Sequence, residues 1–60
     1  MDEPNEVQLR RLYRISYRLT NVMLVPIHII RIDERTGNIF VLAGHDEGIE
    51  LEITPNGEVF

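Results

Sequence analysis

Residues 27–43 run Ile27-His28-Ile29-Ile30-Arg31-Ile32-Asp33-Glu34-Arg35-Thr36-Gly37-Asn38-Ile39-Phe40-Val41-Leu42-Ala43, and this stretch decides the fold. Its two arms are rich in β-branched and aromatic residues, which suit a pleated surface. Between them Asp33 opens a turn, and Gly37 supplies the left-handed position that a tight reversal needs. Strands are therefore predicted at 27–33 and 39–43, joined as an antiparallel hairpin. If Asp33 pairs with Asn38, then Ile32 opposes Ile39 and Ile30 opposes Val41.

Downstream, Gly44-His45-Asp46-Glu47-Gly48 reads as a second turn. Ile49-Glu50-Leu51-Glu52-Ile53 alternates apolar with acidic, which predicts a third strand at 49–53 with one face buried. Pairing Ala43 with Ile49 sets Val41 opposite Leu51 and Ile39 opposite Ile53. Pro55-Asn56-Gly57 is a third turn, and 58–60 offers a short last strand.

Upstream, Asn5 is a good N-cap, and Gln8 stands three residues on, as in a capping box. Asp2, Glu3 and Glu6 lie where the helix dipole favours anions. A helix is predicted over about 5–21, with Asn21 as its stop and Pro26 barring continuation. At 100° per residue, Leu9, Leu12, Tyr13, Ser16, Leu19, Thr20 and Met23 share one face, and Arg10, Arg11, Arg14 and Arg18 the other. The expected class is α+β: one N-terminal helix packed on a three- to four-stranded antiparallel meander sheet, as a single small domain over 1–60.

The register separates two sheet faces. Ile30, Ile32, Ile39, Val41, Ala43, Ile49, Leu51 and Ile53 make an inner face for the helix to cover, chiefly with Leu9, Leu12, Ser16 and Leu19. The outer face carries the rows Arg31–Phe40–Glu52 and Ile29–Leu42–Glu50. One helix covers one face, so Ile27, Ile29, Phe40 and Leu42 are expected as an exposed apolar patch flanked by Arg31 and Glu52. Patches of this kind mark association surfaces. A slip of one residue would exchange the faces.

Composition narrows the function. The chain has 60 residues, a formal net charge of −4, no cysteine and no lysine; all six basic residues are arginine. Disulfides and cysteine-containing zinc sites are excluded. A domain this small buries only about 60% of its unfolded surface, which favours a partner. The acidic start does not resemble a signal peptide, so a cytoplasmic protein is expected. The apolar run from Val22 to Ile32 is short and broken by Pro26, His28 and Arg31, so no membrane partner is expected.

Charge is unevenly placed. Residues 7–32 hold five arginines and no acid, whereas beyond Ile32 the single Arg35 faces seven acids. Arg10, Arg14 and Arg18 form a second, electrostatic surface suited to carboxylates or phosphates. The net negative charge argues against nucleic acid, which stays as the alternative: a nucleic-acid-associated regulator using the arginine-rich helix face. Glu6 and Arg10 are spaced to pair along the helix.

No catalytic constellation is visible. The one serine, Ser16, lies on the predicted buried face, and the four glycines occur singly at turns, so neither an enzyme nor a cofactor is expected. His45, Asp46 and Glu47 are consecutive turn residues that point apart, so no metal site is expected there. His28 lies on the helix-facing side near Ala43 and reads as structural. The expected role is a small protein-interaction module that self-associates, a dimer being favoured, or binds another protein.

Taken together, Leu19-Thr20-Asn21, Pro26-Ile27, Arg31-Ile32-Asp33, Arg35-Thr36-Gly37-Asn38-Ile39, Leu42-Ala43-Gly44, Ile49-Glu50 and Asn56-Gly57 resemble the pattern of a family of short proteins. That family is grouped as a domain of unknown function and found mainly in cyanobacteria. The resemblance runs from about residue 12 to the end. It implies a bacterial cytoplasmic protein and brings no activity, cofactor or catalytic residue.

Overall fold

The computed structural model describes residues 3–60, so Asp2 and its expected place by the helix dipole lie outside it. Helix α1 spans Glu6–Tyr17 and runs directly into a π-helical turn, Arg18–Val22. Strands β1 (Ile27–Ile32), β2 (Ile39–Ala43) and β3 (Ile49–Ile53) follow, in the sheet order β1-β2-β3, every pair antiparallel. The expected α+β architecture is the observed one.

The capping box forms as expected. Asn5 Oδ1 accepts from the Gln8 N–H at 2.8 Å, and Gln8 Oε1 accepts from the Asn5 N–H at 3.0 Å. At the other end, the helix widens over Arg18–Val22: the Met23 N–H reaches back five residues to the Arg18 carbonyl at 2.8 Å. The Leu19 carbonyl then accepts from the Val25 N–H at 2.8 Å, and Leu24 takes the left-handed conformation, φ 57°, that ends the helix. Glycine usually fills that position because it lacks a Cβ.

Both hairpin registers are those expected, with Ile32 opposite Ile39, Ile30 opposite Val41, Val41 opposite Leu51 and Ile39 opposite Ile53. β1 stops at Ile32. Asp33 still donates its N–H to the Asn38 carbonyl at 2.8 Å, while its side chain turns back to accept from the Arg35 N–H at 3.0 Å. That bond, with the Arg35 guanidinium beside it, holds the Asp33 carboxyl below the usual aspartate range.

One expectation fails at the start of β1. The register shifts between Ile27 and Ile29, so that Ile27 pairs with Ala43 and His28 is the extra, bulged residue. A bulge of one residue reverses the side-chain alternation beyond it. Ile27 therefore leaves the outer face and packs against the core, which removes it from the expected patch. His28 is exposed, with Nε2 2.7 Å from the Gly44 carbonyl, a structural contact.

Residues 58–60 do pair with β3. Thr54 donates to the Glu58 carbonyl at 2.8 Å, and Phe60 donates to that of Glu52 at 2.9 Å. The pairing amounts to a single bridge, Ile53 with Val59, rather than a full fourth strand.

The core consists of Leu19, Ile39, Val41, Ala43 and Ile53, with Leu12, Ile15, Val25, Ile27, Ile49 and Leu51 packed around it. The helix reaches it with Gln8, Leu12, Ile15 and Leu19. Leu9, Tyr13, Thr20 and Met23, expected on that face, are exposed. The expected face left out Ile15, which with Leu12 and Leu19 makes an apolar stripe at three- and four-residue spacing. Gln8 lies on the same stripe and is buried: its amide donates to the Gly37 carbonyl at 2.8 Å and to the Ile53 carbonyl at 3.1 Å. Asn5 adds a bond from Nδ2 to the Pro55 carbonyl at 2.8 Å. These bonds hold Gln8 against the first hairpin turn and the end of β3, and Asn5 against the last turn, on the side of the helix where Leu12, Ile15 and Leu19 make their apolar stripe.

Replacing Gln8 by Ala is expected to cost about 2–4 kcal/mol, because it strands two carbonyls and breaks the capping box. Gln8→Glu, which turns both donors into acceptors, should fall in the same range at neutral pH. Urea denaturation followed by circular dichroism measures both.

Candidate functional site

The outer sheet face places the expected residues in rows. Arg31, Phe40 and Glu52 lie side by side across the sheet, as do Ile29, Leu42 and Glu50. Ile29 is 44% exposed, and Phe40 and Leu42 are half-buried. The Arg31 guanidinium carbon sits 5.7 Å from the centre of the Phe40 ring, a cation–π distance that lays the arginine stem along the patch. At the opposite end of the row, Glu52 accepts from Asn38 Nδ2 at 3.1 Å. Phe60 extends the same row beyond Glu52, and at 71% exposure it does not cover the patch.

The sheet's two edges differ. The free side of β3 is partly closed by 58–60, whereas among the described residues β1 has no neighbour beyond it. On β1 both faces are open. Ile30, on the inner face, is 46% exposed, and among the strands the helix packs most closely on β3. Sequence patterning counted Ile30 as covered, and the signal for its exposure was geometric: one helix is narrower than a three-stranded sheet.

The arginine face of α1 divides by what each side chain touches. Arg10 lies 3.9 Å from Glu6, both highly exposed, the spacing expected. Exposed pairs of this kind contribute little. Arg11 Nε donates to the Gly57 carbonyl at 3.1 Å and so ties the helix to the last turn. Gly57 has φ +86°, and a Cβ there would meet Val7 Cγ1 at 2.7 Å, so only glycine lets this turn approach the helix. Arg14 and Arg18 are exposed beside Tyr13 and Tyr17, whose ring centres are 6.5 Å apart. Arg11, Arg14, Ile15, Arg18 and Val59 line a shallow recess of about 310 Å³. Among the described residues only Arg10 and Arg35 have a carboxylate within 4 Å.

The acidic turns are occupied with their own backbones. Asp46 Oδ1 accepts from the Gly48 N–H at 3.0 Å, and Asp33 from that of Arg35. Among the described residues no three histidine or carboxylate side chains converge.

A family model described as a domain of unknown function (DUF6888) matches residues 3–60 of the chain. No curated protein and no solved structure matches it.

Arg11→Ala is expected to lower stability by about 1 kcal/mol, since the buried turn loses a charge-assisted bond. Arg14→Ala and Arg18→Ala should stay within about 0.5 kcal/mol of the parent. Thermal denaturation of the three variants would separate the arginine that builds the fold from those left for recognition.

Proposed function

The chain belongs to the DUF6888 family, a domain of unknown function, and we propose that it works as a small protein-interaction module that self-associates through its outer sheet face. The carrying observation is the uncovered apolar row pair, Ile29–Leu42 and Arg31–Phe40, on a sheet whose helix lies on the other side. Leu9, Tyr13 and Ile30 add exposed apolar surface where a soluble monomer of this size normally shows charge.

Within this reading, Ile29, Phe40 and Leu42 make the apolar contact, and Arg31 and Glu52 flank it. Arg10, Arg14 and Arg18 form a separate surface for an acidic partner. The reading also takes the protein to be cytoplasmic and bacterial, as the resemblance to short cyanobacterial proteins implies. It is a binding role with no reaction.

A second reading, nucleic-acid binding by the helix, draws support from Tyr13 and Tyr17 standing exposed between Arg10, Arg14 and Arg18, since bases stack on such rings. The net charge of −4 weighs against it. Mixed DNA and RNA fragments in a low-salt gel-shift are expected to give no retardation at tens of micromolar protein; a shift abolished by Arg14→Ala would favour this second reading.

The first reading is tested by Phe40→Asp. Sedimentation is expected to show weakened association, by about tenfold or more in dissociation constant, with circular dichroism unchanged. Unfolding of the monomer by this substitution would mean that Phe40 serves the fold instead.

A further inference from the structure

We propose that the partner on this surface is a second copy of the chain, joined edge to edge through β1, antiparallel, about a two-fold axis at Ile30. This rests on the self-association reading and gives it a geometry.

The backbone of β1 makes the edge available. The Asp33 N–H points to β2, where it meets the Asn38 carbonyl at 2.8 Å. Backbone groups alternate sides along a strand, so Ile29 and Arg31 also bond inward to β2. Ile30 and Ile32 then direct their N–H and C=O groups away from the sheet. Bare edges of this kind are normally blunted by lysine, proline, a bulge or shortness. Here the bulge at His28 guards one end only, and the centre carries isoleucine on both faces, Ile29 at 44% and Ile30 at 46% exposure.

Symmetry and charge select both the occupant and the register. A two-fold axis normal to the sheet keeps outer residues opposite outer residues, so the axis can pass at Ile29, Ile30 or Arg31. An axis at Arg31 sets two guanidiniums directly opposite, which is repulsive. An axis at Ile29 brings Arg31 opposite Ile27 of the partner, which the bulge has turned to the inner face. An axis at Ile30 has neither defect. Each Ile30 exchanges its N–H and C=O with Ile30 of the partner. On the outer face Ile29 lies against Arg31 of the partner, whose methylenes cover it while its guanidinium keeps its place over Phe40.

The pairing also joins the two outer patches. The Ile29–Leu42 row of one copy runs on into the Arg31–Phe40 row of the other, so one continuous apolar band crosses the dyad. Five paired residues bury less than the roughly 800 Å² per partner of a standard stable interface, so a micromolar dimer is expected.

The chain has no cysteine, so introduced thiols report without background. Ile29→Cys mixed with Arg31→Cys, under mild oxidation, is expected to give at least about fivefold more disulfide-linked pair than either variant alone, because directly opposed Cβ atoms fall within disulfide range. Ile30→Lys changes a half-exposed side chain, so the monomer keeps its circular dichroism, but two ammonium groups meet on the axis. Its dimer dissociation constant should rise by about tenfold or more. A parent chain that stays monomeric at several hundred micromolar would overturn both the edge pairing and self-association. A dimer that survives Ile30→Lys, dissolves in Phe40→Asp and shows no preference for the mixed disulfide would overturn the edge pairing alone.

Discussion

The side chain of Gln8 sets the relation between the two layers of this protein. It is a polar group in an otherwise apolar interior, and every polar atom of it is used: one oxygen on the helix cap, two amide hydrogens on carbonyls of the first hairpin turn and the end of β3. Apolar burial is non-directional, so it fixes the facing of the helix less sharply than a hydrogen bond does. A buried amide with only one satisfying arrangement removes the remaining freedom. It sits on the stripe that turns Leu12, Ile15 and Leu19 inward and leaves Leu9 and Tyr13 outside.

The sheet was legible in the sequence because two turns with aspartate and glycine at decisive positions mark the hairpins, and the alternation of 49–53 tells its inner face from its outer one. That reasoning placed Arg31 beside Phe40 and Phe40 beside Glu52 correctly. It failed at Ile27, because the bulge at His28 arises where β1 meets the rigid Pro26 approach, and no residue in that stretch announces it. It failed again on the helix face. Gln8 was readable as a cap, yet its second task, holding Gly37 and Ile53, depends on chain segments 29 and 45 residues away. The widened turn at Arg18–Val22 was equally hidden, since its composition is that of an ordinary helix end.

The helix arginines and most of the acids come out on separate surfaces, while Arg31 shares the outer sheet face with Glu50 and Glu52. The helix keeps its arginines on the solvent side, with Arg11 diverted to hold the last turn. The acids line the turns and the outer face of β3, and several are bound to local backbone or amide groups. Among the described residues opposite charges meet within the fold only in two exposed local pairs, Glu6–Arg10 and Asp33–Arg35. Long-range attraction between the arginine face of one molecule and an acidic surface elsewhere remains available, and it will weaken with salt as exposed charges do.

The unequal edges of the sheet bear on how large an assembly can grow. A strand bare on its outer side invites addition, and a sheet with two such sides can lengthen without limit, as fibres do. In this protein the far side is partly occupied by 58–60, which pairs with β3 through a single bridge. Addition at β1 uses up the one inviting side on each participant. Under the proposed pairing, growth by that route would halt at a pair, with 58–60 lying along the far side of each sheet.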